Sequence, residues 1–98
     1  MKDLSVYILT CADDSFYTGV TNNVPLRVFK HNEGLDKKSY TYSRRPVVLS
    51  WASEPMETLY AIAFEKKIKG WSRKKKQALI DGEFDALVGL SKKKFKKK

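Results

Sequence analysis

Residues 4–34, LSVYILTCADDSFYTGVTNNVPLRVFKHNEG, decide the fold of this chain. The stretch contains two short runs rich in β-branched and aromatic residues, Ser5–Thr10 and Phe16–Thr21. Runs of this kind, bounded by turn residues, are typical of β-strands. Residues 12–15 read Ala-Asp-Asp-Ser and favour a tight turn. The sequence therefore predicts a β-hairpin.

A helix is predicted directly after the hairpin. Asn22 or Asn23 can cap its first turn, because a side-chain oxygen there accepts from a free backbone N–H. Pro25 suits the first helical turn, since the amide it lacks would have no partner there. Gly34 tolerates the left-handed conformation that commonly follows a helix. We expect the helix to end at this glycine.

The two faces of this helix have different compositions. Leu26 and Phe29 form an apolar stripe that we expect to pack on the hairpin. Arg27 and His31 are four residues apart and therefore lie one above the other on another face. Neither the guanidinium nor the imidazole has an obvious role in a core. The helix thus offers two candidate site residues.

The register of the hairpin decides whether Tyr7 and Tyr17 join this site. An even-length loop pairs residue 7 with residue 20 and sends the two rings to opposite faces of the sheet. An odd loop, such as residues 13–15, or a bulge puts both rings on one face. We predict the odd loop, and hence a shared site containing both phenols.

The length and composition indicate one small domain. The chain has 98 residues, of which 42% are hydrophobic, and we predict a single domain over residues 1–90. No apolar run approaches the length of about 20 residues that a membrane span needs, and none resembles the apolar segment of a signal peptide. Cys11 is the only cysteine, which excludes an internal disulfide and a multi-cysteine zinc site. These features favour the cytoplasm.

The net charge of +9 is concentrated in two places. Residues 66–76 carry seven basic side chains, and the last seven residues carry six lysines. Clustered positive charge is typical of proteins that bind polyanions. For residues 66–76 we favour nucleic-acid binding over a merely solvated face. Residues 91–98 are predicted to be a disordered Lys-rich tail, which either contacts nucleic acid or keeps the protein soluble.

Two further segments precede the second helix. Residues 35–45 interleave basic and aromatic side chains and predict a loop that either contacts phosphates and bases or simply connects two elements. Val47–Trp51 is nearly continuously apolar and is interpreted as a central strand buried on both faces.

Two more helices complete the predicted fold. Ser53 is expected to cap a helix that ends at Gly70, with Leu59, Ile62 and Ala63 as its apolar stripe. Ser72 is expected to cap a third helix that ends at Asp81. An apolar segment, residues 84–90, could pack after it. Spacing alone makes Glu65 a surface carboxylate paired with Lys69 at i+4.

An ordered series of motifs resembles the GIY-YIG nuclease superfamily, and especially its small stand-alone bacterial members. The series begins with Val6-Tyr7-Ile8 and Tyr17-Thr18-Gly19 and continues through Arg27 and His31-Asn32. It then includes residues 45–47, Arg-Pro-Val, and runs from Glu65 through Lys69-Gly70-Trp71-Ser72-Arg73. The likeness covers roughly residues 4–80. Each tripeptide alone is weak, whereas the ordered series within one short domain is specific.

The resemblance implies an α/β (α+β) fold, with a small three-stranded sheet flanked by helices. It implies a DNA endonuclease that uses a single Mg²⁺ or Mn²⁺ ion. The motif matches imply five catalytic residues: Tyr7, Tyr17, Arg27, His31 and Glu65. Glu65 is the implied metal ligand, which reverses the surface-pair interpretation.

The chemistry of these residue types is consistent with the implied roles. A hard carboxylate suits Mg²⁺, and the planar fork of Arg27 can bridge two phosphate oxygens. We favour Tyr7 over Tyr17 as the acceptor of the water proton, because nearby cations favour a phenolate. Tyr17 would orient water or phosphate, and His31 would assist proton transfer or bind phosphate.

The basic residues predicted to contact nucleic acid are Lys37, Lys38, Arg44, Arg45, Lys69, Arg73, Lys74, Lys75 and Lys76. The expected partner is DNA, or RNA, without a membrane. The sequence does not determine the oligomeric state.

Three departures from the family pattern keep other functions open. Ser5 precedes Val6-Tyr7 where the name-giving glycine would stand, Gln77 is the nearest amide where several relatives carry an asparagine, and Val20 replaces a lysine. The leading hypothesis is a structure- or damage-directed endonuclease of DNA repair or recombination. The alternatives are a nucleic-acid-binding module with weak or no catalysis, and an interaction domain with a solubilising tail.

Overall fold

The computed structural model describes residues 3–83 as a three-stranded antiparallel sheet with three α-helices. The elements are β1 (Ser5–Thr10), β2 (Phe16–Thr21), α1 (Val24–Glu33), β3 (Val48–Ala52), α2 (Thr58–Lys69) and α3 (Arg73–Ile80), with a 3₁₀ turn at Tyr42–Arg44. The predicted α+β class is confirmed. The segment 84–90 and the tail 91–98 lie outside the described residues. No helix within residues 3–83 is long and apolar enough to cross a membrane.

Strand β1 is the centre of the sheet, whose order is β2-β1-β3. Alternate residues of a strand face opposite sides, and both sides of β1 are buried. Val6 and Ile8 pack with residues of α2 and α3 on one side, while Tyr7 and Leu9 pack with Val28 of α1 on the other. A strand between two cores explains why its sequence is apolar at nearly every position.

The hairpin loop is odd, as predicted, but it consists of residues 12–14 rather than 13–15. Tyr7 is paired with Gly19 and Leu9 with Tyr17, so the two phenol rings lie on the same side of the sheet. The Cys11 N–H donates to the Ser15 carbonyl at 2.8 Å and closes a three-residue loop. Within it, Asp14 has a φ of 69°, a left-handed conformation that aspartate tolerates.

The prediction that the third strand is central is wrong. β3 is an edge strand of the described sheet, and Val48 and Leu49 are 63% and 41% exposed. A strand that is exposed on one side is expected to alternate apolar and polar residues, so the apolar run of β3 does not follow from its observed packing. Periodicity cannot separate a central strand from an edge strand, because the position of a strand depends on pairing between distant segments.

Helix α1 has the predicted ends but a different packing face. Asn23 accepts from the Leu26 N–H, and Gly34 has a left-handed φ of 66°. The stripe of Leu26 and Phe29 does not pack on the hairpin, since these side chains are 45% and 58% exposed. The packing side is instead formed by residues 24, 28, 31 and 32, which have helical spacing.

Two hydrogen bonds explain which side of α1 faces the sheet. The Asn32 side chain donates to the Val47 carbonyl at 3.0 Å and accepts from the Val47 N–H at 2.7 Å. A polar residue therefore fixes the rotation of the helix more strongly than the apolar stripe does. These bonds also place His31 over the sheet.

Helix α2 begins later than predicted and buries a different stripe. Ser53 does not cap it: its hydroxyl accepts from the Val6 N–H at 2.9 Å and extends the sheet, while Glu57 is the N-cap. The buried positions are Ala61, Glu65 and Ile68, and Leu59 is 71% exposed. The predicted end at Gly70 is confirmed, as is α3, which Ser72 caps and Asp81 ends.

Candidate active site

Tyr7 lies at the base of the candidate site. Its ring is fully buried, and its hydroxyl lies 3.0 Å from Nε2 of His31. The ring covers Gly19 of the neighbouring strand, where a Cβ atom would lie 2.7 Å from the Tyr7 hydroxyl and 2.8 Å from Cζ. The glycine of the second motif is therefore needed for space, because the phenol occupies the volume that a side chain would fill.

His31 connects Tyr7 to the loop after α1. Nδ1 of His31 lies 2.7 Å from Oγ1 of Thr41, which is fully buried and lies 3.0 Å from Oγ of Ser39. The Tyr7 O–H can donate to Nε2 only when His31 carries its proton on Nδ1. In that tautomer the Nδ1–H donates to Thr41. The loop thus fixes the orientation of the imidazole, and in this tautomer Nε2 accepts from the phenol.

Tyr17 forms the aromatic wall of the site. Its ring lies 5.1 Å from that of His31 in an edge arrangement and 6.3 Å from that of Tyr7, measured between centroids. On its other side Tyr40 stacks on it at 6.1 Å with an interplanar angle of 22°. The aromatic wall therefore continues from β2 into the loop after α1. This packing gives Tyr40, one of the two tyrosines of that loop, a structural role.

Charges around Tyr7 oppose one another. The pKa of Tyr7 is raised to about 12, chiefly by burial; Tyr17 and Glu65 also raise it, while the charge and hydrogen bonding of Arg27 lower it. Burial dominates. The expectation that nearby cations favour the phenolate is therefore wrong for the unliganded site, because one guanidinium does not compensate for the loss of solvent.

His31 is held neutral by its surroundings. Burial is the main cause of a lowered pKa, the charge of Arg27 lowers it further, and Asp36 partly opposes both. In the tautomer protonated on Nδ1, a neutral imidazole accepts from the Tyr7 hydroxyl and can receive a proton from it. The pair therefore suits proton transfer better than either residue alone.

Glu65 lies on α2, and its charge acts on Tyr7. It is 9% exposed, and its Oε2 accepts from Nζ of Lys69 at 2.7 Å. The i+4 pair expected from spacing is present, but its carboxylate is buried while the Lys69 side chain is 54% exposed. No cluster of three or more metal-ligating side chains occurs within residues 3–83. One carboxylate fits Mg²⁺, which commonly takes one or two carboxylates and completes its shell with water and phosphate oxygens.

A cleft of about 310 Å³ adjoins Tyr17, Arg27 and His31, whereas Tyr7 and Glu65 do not line it. Its polar lining includes Tyr17, Arg27, Lys30, His31 and Thr41. Sequence reasoning did not include Lys30 or Thr41. Lys30 follows Arg27 by three positions and could have been found from helical spacing. Thr41 is distant in sequence from His31, and no pattern indicates their contact.

The predicted nucleic-acid contacts are distributed over several surfaces. Lys37 and Lys38 lie exposed on the loop after α1, and Lys74 is exposed on α3. Lys69 and Lys76 line a second cleft beside Tyr17.

The other four cations stack on aromatic rings. Their charged atoms lie 3.8–4.5 Å from ring centroids, in the pairs Arg44–Tyr40, Arg45–Tyr42, Arg73–Phe16 and Lys75–Trp71. Arg44 also pairs with Asp13 at 3.1 Å. These contacts explain the interleaving of basic and aromatic residues by local packing, and they leave the cationic groups near the surface.

Comparison with known proteins identifies relatives over most of the chain. A UPF0213 protein of Staphylococcus haemolyticus is 43% identical over 76 residues, covering 78% of this chain and 92% of the relative. A UPF0213 protein of Natronomonas pharaonis is 42% identical over 81 residues, covering 83% and 94%. The solution NMR structure of a UPF0213 protein from Bacillus halodurans matches with a TM-score of 0.50 and 38% identity, covering 81% of this chain and 83% of that one.

A family model agrees with the motifs and with the residues brought together around Tyr7. The model described as the GIY-YIG catalytic domain matches residues 4–78. This range contains Tyr7, Tyr17, Arg27, His31 and Glu65. The chain therefore belongs to the GIY-YIG family, as the order of its motifs predicts.

Proposed function

We propose that this protein is a divalent-metal-dependent DNA endonuclease. It hydrolyses phosphodiester bonds in DNA selected by structure or damage, in repair or recombination within the cytoplasm. Its GIY-YIG domain supports a nuclease. The observation that carries the proposal is the 3.0 Å contact between the Tyr7 hydroxyl and Nε2 of His31, on which the charges of Arg27 and Glu65 also act.

Arg27 binds the scissile phosphate in this proposal. Its side chain is exposed, lines the main cleft and interacts with the Tyr7 hydroxyl. A planar guanidinium can donate two parallel hydrogen bonds to phosphate oxygens. Lys30 lines the same cleft and adds positive charge. The phosphate is thereby held beside the phenol.

The proton of the attacking water passes through Tyr7 to His31. As the water oxygen forms a bond to phosphorus, its proton moves to the Tyr7 oxygen, and the phenol proton moves to Nε2 of the neutral His31. The P–O bond to the leaving sugar oxygen breaks, and that oxygen takes a proton from solvent. This route avoids a free phenolate, which the raised pKa of Tyr7 disfavours. Tyr17 orients the water or the phosphate.

Glu65 would hold a single Mg²⁺ or Mn²⁺ ion. When bound, the ion supplies positive charge that offsets the negative charge developing on the phosphate. The carboxylate is mostly buried and pairs with Lys69. The ion pair between Lys69 and Glu65 must therefore break or lengthen when the carboxylate binds the metal ion.

One observation favours a second candidate, a nucleic-acid-binding module without useful catalysis. Glu65 already has a cationic partner, and a metal site built from a single carboxylate is weak. In that case the basic surfaces bind nucleic acid, DNA or RNA, and the phenol stays protonated. The two candidates differ in whether cutting depends on Glu65.

The test compares wild type, Glu65→Ala and Glu54→Ala. Each is incubated with nicked, flapped, branched and plain duplex DNA, and with single-stranded RNA, in Mg²⁺ or Mn²⁺. We expect wild type and Glu54→Ala, which changes an exposed carboxylate, to cut at least one DNA structure. Glu65→Ala should bind that DNA but not cut it. Equal cutting by all three would reject the nuclease, and binding without cutting by all three would support the binding module.

A further inference from the structure

A second cleft lies on the other side of Tyr17 from the site described above. It has a volume of about 290 Å³ and is lined by Phe16, Tyr17, Thr18, Tyr40, Lys69 and Lys76. We refer to it as the β2-edge cleft, because three of these residues belong to that outer strand of the described sheet. Tyr17 lines both clefts, so a chain that occupies one can continue into the other.

Thr18 is a buried hydroxyl without a partner. The residue is 4% exposed, and its Oγ1 is the one buried side-chain oxygen or nitrogen without a hydrogen bond within residues 3–83. Most buried polar side-chain atoms are paired, because an unmet hydroxyl loses its bonds to water. Because Thr18 lines the β2-edge cleft, this unused donor lies next to the space that a ligand would occupy.

The other polar groups of the β2-edge cleft are cationic. Burial lowers the pKa of Lys76, and the charge of nearby Arg73 lowers it further. Lys69 reaches from Glu65 to the same cleft. Crowded cations and a free hydroxyl donor provide complementary partners for an anion with several acceptor oxygens.

We propose that the β2-edge cleft binds a second phosphate of the nucleic-acid strand, next to the one held by Arg27, with Thr18, Lys69 and Lys76 as its donors. This inference rests on the proposed function, because it takes the ligand to be the same strand. The stacked rings of Tyr17 and Tyr40 form a flat wall between the two phosphate positions, on which a sugar or base can lie. Phosphates on both sides of one wall would fix the direction of the strand through the site.

Thr18→Val is the central test, because it removes the hydroxyl while keeping the shape of the side chain. Binding of a fluorescein-labelled 20-base-pair duplex is measured by fluorescence anisotropy in EDTA, so that cutting does not interfere. We expect roughly a ten- to hundred-fold loss of affinity, as for one hydrogen bond to a charged group. The midpoint of thermal unfolding should rise by a few degrees, because an unmet buried hydroxyl is removed.

Thr10→Val is the matched control for this substitution. The Thr10 hydroxyl bonds to that of Ser50 at 2.5 Å and lies outside both clefts. Its removal should lower the unfolding midpoint and leave DNA affinity unchanged. If Thr18→Val stabilises the fold without weakening DNA binding, the hydroxyl is only a packing defect and the inference is overturned.

Two lysine substitutions distinguish a specific phosphate contact in the β2-edge cleft from general electrostatic attraction to DNA. Lys76→Gln should reduce the slope of log affinity against log salt by about one, as for the loss of one phosphate contact. Lys67→Gln removes the same charge from an exposed position outside the cleft and should change the slope less. Equal effects of both substitutions would contradict a specific contact.

The source of the phosphate is tested by NMR titration with inorganic phosphate and, separately, with a dinucleotide that has two phosphates. We expect the amides of residues 16–18 and 76 to shift with the dinucleotide at concentrations where inorganic phosphate has little effect. Stronger shifts with inorganic phosphate would point to a free anion and overturn the strand proposal. These tests measure binding and not cutting. A failure of the nuclease proposal in the Glu65→Ala assay can therefore be distinguished from a failure of the proposed phosphate site.

Discussion

At the scale of single residues, the site depends on a close approach between two motif positions. The Tyr7 ring lies over Gly19, and the hydroxyl is oriented toward His31. Interiors packed at the density of crystals accommodate an added methyl group poorly. The two motifs are therefore coupled through the volume they share, in addition to any chemistry of the tyrosines.

Gly19→Ala is expected to displace the Tyr7 ring and lower stability by about 1–3 kcal/mol, the usual cost of overpacking. Urea unfolding measures this change. Gly70→Ala is the control, because a Cβ there would meet its nearest atom at 3.6 Å and the backbone has an ordinary φ of −84°. It should be neutral or slightly stabilising. Equal stabilities of the two variants would show that the Tyr7 ring moves aside without cost.

The neutrality of His31 predicts a pH dependence. His31 is the only histidine of the chain, so its titration by NMR is unambiguous. Its pKa should lie below the ordinary 6.5. The unfolded chain then takes up the proton first as the pH falls. Folding stability should thus be constant above about pH 6.5 and decrease below it.

Arg27→Gln separates the two causes of this shift. Removing the guanidinium should raise the pKa of His31 part of the way toward its ordinary value, since burial, the larger cause, remains. Lys37→Gln removes a charge from the exposed loop and should leave the titration unchanged. A pKa at or above 6.5 in wild type would contradict a neutral proton acceptor in the folded state.

At the scale of elements, β1 and β3 have similar apolar sequences but different positions in the sheet. β1 and β3 both have apolar runs, but β1 is buried on both sides and β3 exposes Val48 and Leu49. Pairing decides the difference, because β1 bonds to both β2 and β3. An exposed apolar edge strand can pair with another chain. We therefore expect β3 to be a site of aggregation.

Val48→Lys should cost no more than about 0.5 kcal/mol, as for a surface position, and should reduce aggregation. Ile8→Ala, in the buried centre of β1, should cost about 2–5 kcal/mol. Chemical denaturation measures both changes, and light scattering measures aggregation. A large loss of stability in Val48→Lys would mean that this edge is covered in the complete protein.

At the scale of the whole molecule, one site collects side chains from both faces of the sheet. Tyr7 and Tyr17 come from the hairpin, Arg27 and His31 from α1, and Glu65 from α2. Tyr7 lies on the α1 side of the sheet and contacts His31 directly, whereas Glu65 acts on it through its charge. Positive charge, by contrast, is distributed over loops and helix surfaces and over the end of the chain.

Deleting residues 91–98 removes six of the nine net positive charges and leaves +3. We expect weaker DNA binding and a flatter dependence of log affinity on log salt, since fewer counterions are released. Fluorescence anisotropy at several salt concentrations measures both. An unchanged slope would mean that these lysines do not touch the DNA and only raise solubility.

Much of the local structure was predictable from short-range chemistry. The ends of the hairpin strands, the caps Asn23, Gly34 and Ser72, and the odd loop follow from residues adjacent in sequence. The start of α2 was not predictable in this way. Ser53 has the chemistry of a cap, but its hydroxyl bonds to Val6, which is 47 positions away.

The sequence by itself determined the family and the fold class, because motif order and local propensities depend on neighbouring residues; its five site residues stay a prediction. Only the tertiary structure decided that β1 is central, that Thr41 holds His31 and that burial outweighs the charge of Arg27 at Tyr7. Each of these three features depends on which groups, distant in the sequence, pack together and exclude water. That exclusion arises only when the sheet and helices pack together.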